Sequence, residues 1–411
     1  MTSIKATCTA RTNSWRTLAA LMLATLLVAG VAATPTAQAQ TYRVLYRFPT
    51  SNAKGGEPEA GLTWDGDALY GTTVFGPGMS AGTVFKINGS GESVLYSFQA
   101  NGSDGGMPWS GLTRDAAGNL YGTTYSGGTY SRGTVFKITT AGVETPLYSF
   151  TGGVDGWSPS GVVLDAAGNI YGTTASGGTS GNCSNDEGCG VIFKLDTAGV
   201  FSVLHTFTGG ADGGNPWSGL TRDAAGNLYG VTAEGGDLTC LALGCGTVFK
   251  LDTAGELTVL YTFEMVADGY APHAGLVLDS AGNLYGTASG GAYWYGIIFE
   301  LNIQSGQFTV LHDFNESPDG SGPNSLFRDA AGNLYGTAES GGLYYGTVFE
   351  LNTAGTFTVL HSFAGENDQN SWDGSGPVGS LTRGPKPNAL YGVTSGGGRG
   401  NKGTVYEITV K

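Results

Sequence analysis

Apolar and polar positions trade places every one or two residues along this chain, and no stretch holds a helical period. The resulting runs are short. Ser110–Arg114, Leu120–Thr124, Gly133–Ile138 and Glu144–Phe150 carry strand-forming residues such as Tyr121, Thr123, Val135, Phe136 and Ile138, with turn residues between the runs. β-Branched and aromatic side chains fit a pleated, half-buried surface, so four strands are predicted in this span. Asp115-Ala116-Ala117-Gly118-Asn119 separates the first two. An Asp in that place accepts hydrogen bonds from amides downstream, and Gly takes positive φ without a steric cost. The segment predicts a hairpin turn, and its polar residues are assigned to scaffold.

The same pattern returns. GLTRDAAGNLYG at 111–122 recurs unchanged at 219–230, with close copies at Asp165–Thr174, Asp279–Thr287 and Asp329–Thr337. Worn copies surround Tyr70 and Tyr391, so that seven Tyr-Gly pairs are spaced 50 to 58 residues apart. Four short strands repeated in tandem predict an all-β fold, a seven-bladed β-propeller with four antiparallel strands per blade. An open solenoid would need a distinct cap at each end. Here the ends complement one another. The fourth-strand motif first occurs at Val44-Leu45-Tyr46-Arg47-Phe48, and the last repeat stops after its third strand, Gly403–Val410. The N-terminal strand is expected to complete the last blade and remove the free edges.

Composition adds an address. Glycine is 72 of 411 residues without a Gly-X-Y period, which fits turn-dense β structure. Lys5, Arg11 and Arg16 precede the apolar stretch Leu18–Ala33, and Ala37-Gln38-Ala39 fits a cleavage site. Residues 1–39 read as a signal peptide, and 40–411 as a single propeller domain. The formal charge of −14 becomes −17 once three basic residues leave. Such a surface repels phosphate backbones, so nucleic acid is not expected as a partner, and neither is membrane insertion after cleavage. Cys8 leaves too. The remaining cysteines form two close pairs, Cys183 with Cys189 and Cys240 with Cys245. Export permits disulfides; local pairing is the simplest of three connectivities, and the spacings are not zinc-like.

The core GL-x-x-D-x-x-GNLYGTT, followed by GG, GTVF-K/E-L and VL-x-x-F, resembles the GloVer repeat of the choice-of-anchor tandem-repeat exported proteins. The resemblance runs from about Tyr42 to Val410. It implies an exported or surface protein and brings no shared biochemical activity. Many members end in a sorting anchor. Here Lys411 follows the last strand directly, so secretion or periplasmic residence is expected.

If strand one lines the channel, the loops from strand two to three and from strand four to the next blade share a face. They are also the most varied segments, and loops on a rigid frame are where binding concentrates. The blade-joining loop reads DG-x-x-P-x-S-G-L, with Asp104, Asp155, Asp212, Asp268, Asp319 and Asp373, and Lys54 in the first repeat. Turn chemistry is the simpler account of these carboxylates; calcium is the alternative. The position after the Pro varies: Glu59, Trp109, Trp217, His273, Asn324 and Val378, with Trp157 near it in the third repeat. The other loop set adds Tyr125, Tyr130, Tyr293, Trp294, Tyr295, Tyr344 and Tyr345. Candidate ligand contacts are therefore Trp109, Trp157, Trp217, His273, Glu59, Tyr293, Trp294, Tyr295, Tyr344 and Tyr345, with packing between blades as the alternative.

His205, His312 and His361 fall where other repeats have Tyr46, Tyr96, Tyr148 and Tyr261, and are read as structural. No nucleophile elbow, zinc-protease helix or phosphate-binding loop occurs, so no catalytic residue, cofactor or metal is assigned. The leading expectation is an exported binding module for a glycan or surface partner. The alternatives are a carbohydrate-active lyase or hydrolase, using His273, Glu59, Glu234, Asp186 or Glu187, and a purely structural surface protein. Convergent carboxylates with a His at the channel mouth would favour the enzyme, and an aromatic shelf would favour binding.

Overall fold

The computed structural model describes residues 41–410 apart from 52–53, 78–80, 100–101, 180, 185–186, 266, 366–371 and 399. Residues 1–39, expected above to be a signal peptide, and Asp186 lie outside the described residues.

The chain forms seven antiparallel sheets arranged as the blades of a propeller, with strands a to d running outward in each. Blade 2 is representative: a, Thr113–Arg114; b, Leu120–Thr124; c, Thr134–Ile138; d, Glu144–Ser149. Blade 7 takes Ser375–Arg383, Ala389–Gly396 and Thr404–Thr409 as a to c, and its d strand is Tyr42–Arg47 from the other end of the chain. That strand pairs antiparallel with Thr404–Thr409, Tyr42 opposite Ile408 and Arg47 opposite Thr404, so the ring closes as expected. Strand a departs from the prediction. It is only two residues long in blades 1, 2, 4 and 5, and in blade 6 it splits into Ser321–Pro323 and Phe327–Arg328, giving 29 strand segments instead of 28.

The repeated motifs are explained by what they bury. Strands b and c are enclosed on both faces, whereas strand d is only partly covered. The Phe of VL-x-x-F, just past strand d, packs edge-on against the strand-c Phe of the next blade: Phe98 on Phe136 at 5.1 Å between centroids and Phe150 on Phe193 at 5.3 Å. The contact recurs all the way round and ends with Phe363 on Tyr406 at 5.5 Å. Each ring buried this way is worth about 1.5–3 kcal/mol, and the edge-on geometry adds about 1. The Gly of Tyr-Gly lies beneath the strand-c ring, and a Cβ on Gly122 would stand 2.7 Å from Phe136 Cζ.

The blade-joining Asp residues serve the same interfaces. Asp104 accepts a hydrogen bond from the Tyr96 hydroxyl at 2.7 Å, and Asp155 one from Tyr148 at 2.9 Å. His205, His312 and His361 each place Nε2 3.1 Å from Asp212, Asp319 and Asp373. Several of these rings stack on strand d of the next blade, Tyr148 on Phe201 at 4.1 Å and His312 on Phe357 at 3.8 Å. The three histidines thus stand on separate interfaces. Where Lys54 replaces the Asp, the facing residue is Glu92, and the two form an ion pair at 3.0 Å. In the hairpin turn, Asp115 Oδ1 accepts from the Asn119 amide at 2.8 Å and Gly118 has φ of +90°.

Both disulfides form, Cys183–Cys189 and Cys240–Cys245, with Cα separations of 5.5 and 5.8 Å. Each staples the b–c loop of its blade, 3 and 4 respectively. No helix among the described residues is long and apolar enough to cross a membrane.

Candidate functional site

Two loop sets share one face of the ring. The d–a loop runs beside the start of the b–c loop, with Gly106 paired to Ser126, Gly214 to Glu234 and Tyr270 to Ser289. The d–a segment then turns inward, and in blade 2 Trp109–Leu112 line the channel just before the two-residue strand a. All seven blades contribute to an open cavity of about 490 Å³ at the centre.

Its rim consists of the positions where the repeats disagree. Glu59, Trp109, Trp217, His273 and Asn324 all line it, from blades 1, 2, 4, 5 and 6. Trp109 is 49% exposed and Trp217 43%. Trp109 stacks on Tyr125, centroids 5.1 Å apart and planes at 20°, so the pair forms a platform held from behind. Val378 goes the other way, into the core with Leu62, Phe85 and Val393. Gly379 beside it abuts the blade 1 backbone, where a Cβ would lie 2.1 Å from the Gly61 nitrogen.

Below the rim runs a tier of serines. Threonine hydroxyls of strand b donate to the backbone carbonyls there, Thr123 to Ser160 at 2.9 Å and Thr173 to Ser218 at 2.8 Å. The carbonyls are thereby used between blades. Two serines of the lining, Ser158 and Ser218, keep their Oγ atoms enclosed and without a hydrogen-bond partner. Unpaired buried hydroxyls are costly.

Charge at the mouth is one-sided. No lysine or arginine lines the cavity. Burial raises Glu59 to about 7, with the neighbouring charges of Glu339 and Glu57 adding to the effect. Glu57 is paired with Lys402 at 3.0 Å. Glu339 is exposed at the inner end of blade 6 strand b, Leu334–Ser340. Blade 7, between blades 6 and 1, adds only Gly379 and Ser380 to the lining.

The other candidates lie outside the cavity. Trp157 is held between Tyr125, at 6.5 Å, and the Arg132 guanidinium, 5.0 Å from its ring centroid. Tyr293, Trp294 and Tyr344 are exposed on the b–c loops of blades 5 and 6. Tyr295 donates to Glu316 at 3.1 Å, and Tyr345 packs against the core between blades 6 and 7. Among the described residues, all seven exposed tyrosines and tryptophans belong to this face: Trp109, Tyr130, Trp217, Tyr293, Trp294, Tyr344 and Trp372.

The acid–base candidates do not converge. Glu234 accepts from the Ser184 amide at 2.9 Å and from Asn215 Nδ2 at 3.1 Å, tying the first cysteine loop to blade 4. Glu187 pairs with Arg132 at 3.0 Å. His273 holds Nδ1 2.9 Å from the Ala271 carbonyl, and three blade steps separate it from Glu59. No cluster of three or more metal-ligating side chains occurs among the described residues. The sequence reading missed Ser158, Ser218 and Glu339. Ser218 is the serine of the repeated motif and reads as scaffold, Ser158 is the varied residue before the Pro, and Glu339 is visible only when LYGTAES is aligned against LYGTTYS, where it replaces Tyr125.

These features define a ring-closed propeller with one differentiated face around an aromatic and acidic mouth. The chain belongs to the Gloeobacter/Verrucomicrobia repeat family, whose profile matches residues 28–243 and 239–411. Among curated proteins nothing matches the chain. Solved structures are similar at low identity. A chain of the nidogen/laminin complex is 17% identical over 69% of this chain and 91% of that one, TM-score 0.45. A gluconolactonase from Xanthomonas campestris is 15% identical over 72% and 83%, TM-score 0.42. The extracellular domain assigned to a one-component system of B. thetaiotaomicron is 14% identical over 89% of this chain and 42% of that one, TM-score 0.53. The last shares the fold, and at these identities no activity transfers.

Proposed function

We propose that this protein is an exported, non-catalytic propeller that binds a carbohydrate at the channel mouth. The Trp109–Tyr125 platform carries the reading: an exposed, pre-stacked indole face at the mouth of the cavity. Sugar rings present an apolar face, and an indole held in this way packs against it. Tyr293, Trp294 and Tyr344 extend the aromatic surface onto blades 5 and 6, where a polymer leaving the mouth would run. The two disulfides fit an oxidising compartment. Calorimetry and glycan arrays with the purified protein test this. Binding that falls at least tenfold in Trp109→Ala, with the circular dichroism spectrum unchanged, supports it, and the absence of any glycan ligand refutes it.

A second reading, a carbohydrate-active hydrolase or lyase on the same face, draws on Glu59, whose carboxyl is raised to about 7 and is suited to proton transfer near neutrality. The wide separation from His273 weighs against it. Turnover of a polysaccharide panel that disappears in Glu59→Gln would favour the enzyme.

A further inference from the structure

Given the carbohydrate reading, on which this step rests, the lining also indicates which charge the ligand carries. We infer that the mouth takes a cationic saccharide, a chain of amino sugars. Its ammonium groups would face the Glu59–Glu339 side, and a sugar face would rest on Trp109.

Several observations converge. The cavity lining contains no lysine or arginine, so an anionic sugar would enter without a counter-charge. Lys402, beside the acidic side, is paired with Glu57 and lies 5.6 Å from the centroid of the Phe75 ring. Blade 7 contributes only Gly379 and Ser380 to the lining between blades 6 and 1, where the Glu59 carboxylate lines the cavity and the charge of the exposed Glu339 acts on it. The indoles of Trp109 and Trp217 line the rest of the same opening, and an aromatic face attracts an ammonium group. The Glu59 carboxylate with Glu339 acting beside it, two indoles and a lining without lysine or arginine form a receptor for a cationic saccharide.

The groups that set the charge here are Glu59, Glu339 and Glu57, with Lys402 neutralising Glu57, and His273 on the rim at blade 5. Deprotonation of Glu59 across neutral pH adds a charge that attracts a cation.

The test is titration calorimetry of the full chain against three oligosaccharides of equal length: one of trimethylated glucosamine, which keeps its charge at all pH values, one of N-acetylglucosamine and one of glucuronate. At pH 8 and low salt the quaternary oligomer is expected to bind at least tenfold tighter than the acetylated one, and the uronate at least tenfold weaker. The preference should shrink at pH 6 and at high salt, and fall to about one in the Glu59→Gln/Glu339→Gln variant. Equal binding of the quaternary and acetylated oligomers, tightest binding of the uronate, or a preference that survives the double substitution would each overturn the charge assignment and leave the carbohydrate reading standing. If none of the three binds, both fall. The wild-type pH and salt series decides the question even if the double variant does not fold.

Discussion

Glu59→Gln should stabilise the propeller above neutral pH and leave it unchanged near pH 4.5. The Glu59 carboxyl moves from an ordinary value of 4.5 to about 7 in the folded protein, first through burial and then through Glu339 and Glu57. A raised folded-state value means that the native protein holds this proton more tightly than the unfolded chain does. The resulting stability is fully present below 4.5 and is lost as pH rises through 7. A displacement of that size corresponds to at most about 3.4 kcal/mol, and partial contact with solvent reduces the expected loss to about 2 kcal/mol. Glutamine keeps the shape and does not titrate. Urea unfolding followed by tryptophan fluorescence at pH 4.5, 6, 7 and 8.5 should therefore give coincident curves at the acid end, with the variant ahead by about 2 kcal/mol at the alkaline end. Glu144, also raised to about 7 by burial and Asp104, titrates in the same window but is common to both proteins and cancels. Glu339→Gln should shrink the gap by removing one source of repulsion. Parallel stability profiles across the whole range would refute the reasoning, as would a glutamine variant less stable at pH 8.5.

Three other outcomes follow from the frame. Tyr406→Phe removes a fully buried hydroxyl that has no hydrogen-bond partner and restores the Phe used in other blades, so thermal unfolding should show a gain of about 1 kcal/mol. Lys54→Met leaves the enclosed Glu92 carboxylate without its cation, at a cost of about 2 kcal/mol given the half-exposed lysine; adding Glu92→Phe, the residue type at Phe201, should recover most of the loss in a double-mutant cycle. Gly122→Ala forces a methyl group to within 2.7 Å of Phe136, and denaturant unfolding should report about 1–3 kcal/mol lost.

Repetition made the scaffold legible. One Asp-Ala-Ala-Gly-Asn segment is weak evidence for a turn, but its recurrence at Asp115 and Asp223 with the same spacing to a Tyr-Gly pair defines a blade. Ring closure was legible because Val44–Phe48 matches the missing fourth strand of the last repeat. The site was legible only as a set of positions, because sequence does not say which way each side chain turns. Glu59 and Val378 both follow the Pro of the same motif, yet one lines the cavity and the other is in the core. The difference comes from Gly379, which brings blade 7 against the blade 1 backbone and turns Val378 inward. Trp157 belongs to a repeat in which the residue after the Pro is missing; it pairs opposite Ser176 at the start of strand a, away from the cavity. Register, not residue type, separates it from Trp109.

Departures from the repeat divide into two kinds, and the division points to the site. Lys54 breaks the Asp pattern, but Glu92 answers it across the same interface, so the change is balanced within the chain. Glu59 and Glu339 have no such answer. An uncompensated group need not signal a ligand: the Tyr406 hydroxyl is equally unpaired, but it is sealed in the core where nothing can reach it. Accessibility separates the two cases. Removing the Tyr406 hydroxyl should therefore improve stability at no other cost, whereas neutralising Glu59 should gain stability above pH 7 and lose affinity for the cationic oligomer over the same pH range. Stability and binding changing in opposite directions at Glu59, measured on one preparation, would mark it as a group held out of balance for a partner. A gain in stability with unaltered affinity would place it with Tyr406, as a defect of the frame.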